Sequence, residues 1–302
     1  MPHRTRVTSG RRRIGLMAAA VALASAVSTP AAVAGTGSRE DAAGRYVALG
    51  DSYVAGPFVG TLTSHTPGCL QTDGNYPHRV AAALSITLKD VGCSSAATDH
   101  VFAPQVTDGV VLGTAPPQLA AVTADATMVS IGFGANDIKT SELMGACVSL
   151  FPIGSPCQDH YVKDGVDQIA LRIDATAPKF DRVISAVRTK APHARIFVVG
   201  YPAIFPAAGG GCWPLVPVTP SDTQYLRNSF KRLNGVLAAR AAAHHVTYVD
   251  TYTPSIGHDP CQAPAQRWIE PLIPAAPASV LHPNARGEQG LADALLAAVR
   301  TR

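Results

Sequence analysis

"YVALGDSYVAGP", residues 46–57, runs from a short apolar stretch through an acid and a hydroxyl into a glycine-bounded turn. Tyr46 to Leu49 read as a buried strand, Gly50 ends it, and Asp51-Ser52 stand where a helix begins. Ser52 then has two readings. Serine is favoured at a helix start because its oxygen accepts a backbone N–H. A serine between the carboxyl end of a strand and the amino end of a helix is equally placed to act as a nucleophile. The helix dipole lies under it, and its own N–H points outward towards an oxyanion. Gly-Asp-Ser alone does not separate the two.

Working outward, further apolar runs at 86–91, 127–132, 195–200 and 246–250 alternate with helical patterns at 76–84, 166–189, 222–243 and 285–299. Pro178 interrupts the second of these, which predicts a kink or two helices. Such alternation predicts an α/β fold with a parallel sheet and helices on both faces. Ligands of such sheets bind beyond the carboxyl ends of the strands, so the residues after Leu49, Val91, Ile131 and Val199 should converge on one edge. The stretches 53–75, 140–163 and 201–220 read as long irregular loops that wall a pocket there.

The amino terminus is a different kind of segment. Arginines at 4, 6 and 11–13 precede the apolar run 14–27 and a small-residue site ending at Ala34. This is the pattern of a secretory signal peptide over residues 1–34. The run is shorter than the ~20 residues that a membrane span needs, so no stable membrane anchor is expected. Arg11-Arg12-Arg13 leaves both the general and the twin-arginine export routes open. Removing five arginines and no acids from 25 basic and 21 acidic residues leaves 20 against 21, a net charge of −1. The basic balance of the full chain therefore belongs to the leader. No basic stripe with interleaved aromatics exists to support nucleic-acid binding. Residues 35–302 read as one secreted domain, with a monomer as the default state.

Six cysteines, at 69, 93, 147, 157, 212 and 261, are an even number in an exported chain, for which 15 pairings exist. Sequential pairing is the expected one, because each bridge then staples one loop. No C-x-x-C spacing calls for zinc or thiol redox chemistry, and no metal or other cofactor is expected.

Three further stretches bear on chemistry. "DVGCSSAATDHV" (90–101) offers small residues after a strand, which allow close backbone approach or simply a turn tied by Cys93. "VSIGFGANDIK" (129–139) ends a buried strand in Gly-Phe-Gly followed by Asn136, a turn residue or an amide donor to an oxyanion. "SVLHPNARGEQGLADALLAAV" (279–299) places His282 in an irregular segment just before the last helix, where a loop can present a general base. Asp51 and Asp137 read as turn-bonding residues and His258 as a loop lock. Trp213 reads as a pocket wall or a buried anchor beside Cys212.

Gly50-Asp51-Ser52, Gly134-x-Asn136-Asp137 and His282-Pro283-Asn284, in that order, resemble the SGNH (GDSL-type) hydrolases, in particular their secreted actinobacterial lipase/esterase branch. "GHDPC" (257–261), Trp268-Ile269 and "LHPNARG" (281–287) extend the likeness over nearly all of the chain after the leader, as do six sequentially paired cysteines. The resemblance implies a flavodoxin-like three-layer α/β/α sandwich around about five parallel strands. It implies Ser52 as nucleophile and His282 as base, and an oxyanion hole from the Ser52 N–H, the Ser95 N–H and the Asn136 side chain. The substrate it implies is a small-molecule ester or lipid, with carbohydrate O-acetyl esters as the alternative, and a non-catalytic binding protein as the reading from another class.

Three positions depart from the family pattern. Ser95 stands where a glycine is usual, Ala135 replaces a frequent glycine, and Ser279 occupies the place of the aspartate three residues before the histidine. A main-chain carbonyl, as in some members of the branch, then has to hold the imidazole. Ser279 is the residue expected to supply it, with Asp259 and Asp250 as weaker substitutes.

Overall fold

In strand β1 (Arg45–Gly50), Tyr46 and Ala48 pack into one apolar cluster and Val47 and Leu49 into another, and all four are fully buried. A strand with no solvent face needs a layer of structure on each side, and the chain supplies it. The structure is a computed structural model and describes residues 44–64, 66–107 and 112–301. The leader assigned to 1–34 lies outside these.

Strands β2 (Thr87–Asp90), β3 (Met128–Gly132), β4 (Arg195–Val199) and β5 (Thr247–Val249) join β1 in one sheet of order β2-β1-β3-β4-β5. Every pairing is parallel. This is the flavodoxin-like order, in which the chain moves outward from β1 to β2 and then returns to the other side of β1 as β3. The crevice between the carboxyl ends of β1 and β3 is the topological switch point, where such sheets bind ligands.

Helices α1 (Ser52–Ala55), α2 (Tyr76–Leu84), α3 (Thr140–Cys147), α4 (Pro156–Tyr161), α5 (Gln168–Asp174), α6 (Thr176–Lys190), α7 (Pro220–Ala243) and α8 (Ala285–Arg300) follow in chain order. From α2 and α8, Val80, Leu291 and Leu295 pack on Tyr46, Ala48, Phe197 and Val199 of the sheet. Ile173, Phe180 and Leu233, from α5, α6 and α7, pack on Val47, Leu49, Ile131 and Val198 of the other face. The result is three layers.

Two details depart from the sequence reading. The break in the 166–189 pattern falls at Ala175, and Pro178 sits in the first turn of α6, where its missing N–H costs no helical hydrogen bond. The stretch 140–163, expected to be irregular, contains α3 and α4. Both are short. Lys139, a left-handed residue giving no side-chain cap, precedes α3, which encloses Gly145; α4 has only six residues. The cysteines pair as Cys69–Cys93, Cys147–Cys157 and Cys212–Cys261, and the second bridge joins the end of α3 to α4.

Candidate active site

The turn out of β1 is made by a close approach. A Cβ added to Gly50 would fall 2.1 Å from Val54 Cγ2 and 2.5 Å from the Gly132 carbonyl oxygen, so only glycine lets α1 fold back over the strand ends. The Gln118 side chain, fully enclosed, braces Gly50 alongside the Cys93 N–H, which donates to the Gly50 carbonyl at 3.1 Å. Gln118 accepts from the Gly50 N–H at 2.8 Å and donates to the Gly50 carbonyl at 2.9 Å.

Asp51, not Ser52, caps α1. Its Oδ1 accepts the Tyr53 N–H at 2.9 Å, and its Oδ2 accepts the Tyr201 hydroxyl at 2.5 Å. The Tyr201 oxygen in turn accepts the Ala135 N–H at 2.9 Å, so one buried chain of bonds ties the β1, β3 and β4 turns together. Burial pushes Asp51 up to about 7 even against these hydrogen bonds. Ser52 is thus the first helical residue, and its hydroxyl is left free for another partner.

That partner is His282. Nε2 lies 2.7 Å from Ser52 Oγ across 230 residues of sequence. The ring is held on three sides. Its Nδ1 lies 2.7 Å from the Val280 carbonyl oxygen, the Tyr53 ring leans against it at 4.8 Å, and the Tyr53 hydroxyl donates to the Leu281 carbonyl at 2.6 Å. The loop itself is clamped at its base, where the Glu270 N–H donates to the His282 carbonyl and the Leu281 N–H to the Glu270 carbonyl. Because a carbonyl can only accept, Nδ1 carries the proton of the neutral ring and Nε2 presents its lone pair to Ser52. Desolvation disfavours the imidazolium and moves its pKa below 6.5, against the pull of the Val280 carbonyl.

The carbonyl expected at Nδ1 was that of Ser279, and the structure corrects this to Val280. The Ser279 oxygen is occupied by the His282 backbone N–H at 3.1 Å, which closes a turn. Leu281, left-handed at φ 57°, completes that turn and brings the ring back over Val280. Ser279 does line the cavity. Asp259 and Asp250 bond their own loops instead, at Cys261 N and at Tyr252 N and Thr253 N.

Ser95 and Asn136 border the same cavity as Ser52 and His282. Ser95 adopts φ 65°, the left-handed conformation that explains why glycine is usual there and shows that serine takes it up here. Among the described residues, neither the Ser52 nor the Ser95 N–H has an acceptor. Asn136 Nδ2 spends one hydrogen on the Ala96 carbonyl at 2.9 Å, which fixes the amide and leaves the second hydrogen free. The cavity measures about 350 Å³, and Met144, Ile204, Phe230 and Leu281 give it apolar walls. A larger hollow of about 440 Å³ lies against the Cys69–Cys93 bridge, bordered by Gln71, His78 and Asp90, and contains neither Ser52 nor His282.

The remaining candidates settle as framework. Asp137 accepts from Thr98 and from Lys179, and His258 stacks on Trp268 at 4.5 Å while its Nδ1 meets the Gln266 carbonyl. Trp213 is neither pocket wall nor buried anchor. It is 38 % exposed and ties its loop to the next through Nε1 and the Ser149 carbonyl. Tyr53, Tyr201 and Val280 escaped the sequence reading. A tyrosine beside the serine was visible, but nothing in the pattern showed that its hydroxyl would reach a loop 228 residues away. Among the described residues, no three His, Cys, Asp or Glu side chains gather as metal ligands.

A doubly wound parallel sheet with a serine at its switch point and an imidazole delivered from before the last helix is the architecture of the SGNH hydrolases. Residues 48–289 match the GDSL-like lipase/acylhydrolase family, and the chain belongs to it. It is 37% identical to Lipase 2 of Streptomyces coelicolor, over 82% of this chain and 83% of that one. Among solved structures it is similar to phospholipase A1 from Streptomyces albidoflavus NA297, with a TM-score of 0.70 and 28% identity over 85% of this chain and all of that one. The extracellular lipase of Streptomyces rimosus matches at a TM-score of 0.69, again at 28% identity and the same coverage. The protein is a carboxylic ester hydrolase.

Proposed function

We propose that the protein is a secreted lipase/esterase that cleaves acylglycerol- or lipid-like esters through a Ser52–His282 dyad and an acyl-enzyme. The observation that carries this reading is the 2.7 Å contact between Ser52 Oγ and a His282 whose other nitrogen faces only a carbonyl. Ser52 attacks the ester carbonyl as its proton passes to Nε2. The resulting oxyanion takes the Ser52 and Ser95 N–H groups and the second Asn136 amide hydrogen. Nε2 then returns the proton to the leaving alcohol. Water, deprotonated by the same nitrogen, releases the acid and regenerates Ser52. The Val280 carbonyl orients the ring and fixes its tautomer, as a carboxylate does in a triad, but supplies only a dipole to the imidazolium.

The apolar walls of the cavity favour an acyl chain over a sugar, and relatives named lipase and phospholipase A1 point the same way. Secretion rests on the leader pattern at 1–34, the three disulfides and the extracellular relative. Residues 35–302 then form one catalytic domain, active as a monomer. The test is a series of nitrophenyl esters from acetyl to palmitoyl, together with tributyrin. The expected profile favours medium or long chains and includes tributyrin hydrolysis. A sharp acetyl preference with no action on tributyrin would replace the lipase reading with that of an O-acetyl esterase.

A further inference from the structure

Four of the segments that line the cavity are 53–72, 143–158, 201–221 and 271–285. They hold 72 residues without a single Asp, Glu, Lys or Arg, although 15% of the chain is charged and about eleven would be expected. Beside these segments, Glu142 of α3 pairs with Lys139 at 3.7 Å and with Arg172 at 2.9 Å, and Arg227 donates to the Pro206 and Gly209 carbonyls. These segments also present large apolar side chains to solvent. Leu150, Phe151, Ile153 and Ile273 are 67–81% exposed, and Phe58 and Val280 are exposed beside cavity-lining Pro57 and Leu281.

The apolar surface is continuous with the cavity and firmly held. Ser141 and Met144 of α3 line the cavity, and the same helix face runs on to Val148, where the 148–153 loop begins. That loop is stapled by Cys147–Cys157 and bonded to the next by Ser149 N–H to Pro217 O and Trp213 Nε1 to Ser149 O. Cys212–Cys261 holds the second loop in turn. Exposed apolar groups on a braced backbone cannot fold inward to escape water, and patches of this kind mark interaction sites.

We infer that this uncharged rim seats the enzyme on the surface of a zwitterionic lipid aggregate, with the cavity mouth turned into the lipid. The identity of the occupant follows from position and charge. These segments also line the cavity, so a protein or a second copy of this chain seated on them would obstruct its mouth, whereas a lipid surface delivers the ester to it. Segments with no cation of their own offer anionic lipid little extra attraction, so apolar insertion dominates the affinity. The inference rests on the lipid-substrate reading above and adds how that substrate is reached.

The test uses phosphatidylcholine vesicles, sedimented with the Ser52→Ala protein so that no hydrolysis intervenes. Binding is expected, changed less than twofold between 0.05 and 0.5 M NaCl, and weakened at least tenfold by Leu150→Asp/Ile153→Asp. In the enzyme with Ser52 intact, the same pair should lower the rate on emulsified long-chain triglyceride at least tenfold. On dissolved nitrophenyl butyrate it should leave kcat/KM within twofold. Leu150→Ser/Ile153→Ser replaces the pair if the aspartates prevent folding. Absence of vesicle binding, binding only to anionic vesicles, or equal loss on both substrates would overturn the inference. A protein that binds vesicles yet cleaves only acetyl esters would instead refute the lipid-substrate reading and leave the docking surface standing.

Discussion

At the scale of single residues, the imidazole is the group on which everything turns, and its surroundings make measurable demands. In the proposed dyad neutral His282 is the competent base, and burial lowers its pKa below 6.5. As pH falls, kcat/KM should therefore hold past the ordinary histidine midpoint and decline with an apparent pKa under 6.5. A pH–rate profile on a soluble ester checks this, and a limb centred above 6.5 would contradict it. His282→Ala should cost roughly 10³-fold or more in kcat/KM, as loss of a triad member does elsewhere. Ser279→Ala should stay within twofold of the parent, since that residue offers the turn only its main chain. Asn136→Ala removes one donor of the proposed oxyanion hole and should cost on the order of 10²-fold in kcat. The serine, the asparagine and the histidine were legible only in combination, through the order of their motifs, since each alone has an ordinary cap or turn reading. Val280 was not, because spacing alone does not say which of two adjacent carbonyls a turn will consume.

At the scale of elements, the parallel strands and the long helices could be read from apolar runs and helical periodicity, since burial on both faces leaves the central strands largely apolar, whereas the edge strand β2 keeps Thr87, Lys89 and Asp90. The short helices α3 and α4 could not, because a helix of one or two turns carries too little periodicity to stand out from a loop. Also hidden were the buried acids that join elements. Glu288 of α8 accepts the Tyr76 N–H at the start of α2 at 2.8 Å, and Asp90 at the end of β2 accepts from Asn75 and the Gly92 N–H. Burial raises Glu288 well above the ordinary carboxylate range and holds Asp90, like Asp51, at about 7. A folded-state pKa above the unfolded one means that the folded chain binds the proton more tightly. Stability from these groups is full at acid pH and is lost as pH rises through neutrality. Melting temperatures taken from pH 5 to 9 should fall towards the alkaline end. Glu288→Gln keeps the acceptor for Tyr76 without the charge, so it should flatten that fall. An unchanged slope would mean that Glu288 ionises freely.

At the scale of the whole molecule, three disulfides with sequence separations of 24, 10 and 49 residues tie together segments outside the sheet, with Cys69, Cys93, Cys147 and Cys157 buried against the core. Bridges of this kind typically contribute about 2–4 kcal/mol each, mainly by restricting the unfolded chain. Reduction should therefore lower the melting temperature by several degrees while leaving kcat on a soluble ester at 25 °C nearly unchanged; loss of activity without loss of stability would show that the loops, not the core, hold the site. The fold's largest act is to bring residues 52 and 282 together, and labelling with a fluorophosphonate reads that meeting directly. Mass spectrometry of the labelled protein should find a single adduct, on Ser52, formed rapidly in the parent, slowed at least a hundredfold in His282→Ala and absent in Ser52→Ala. An adduct on another residue, or a His282→Ala protein that labels as fast as the parent, would contradict the pairing of this serine with this histidine.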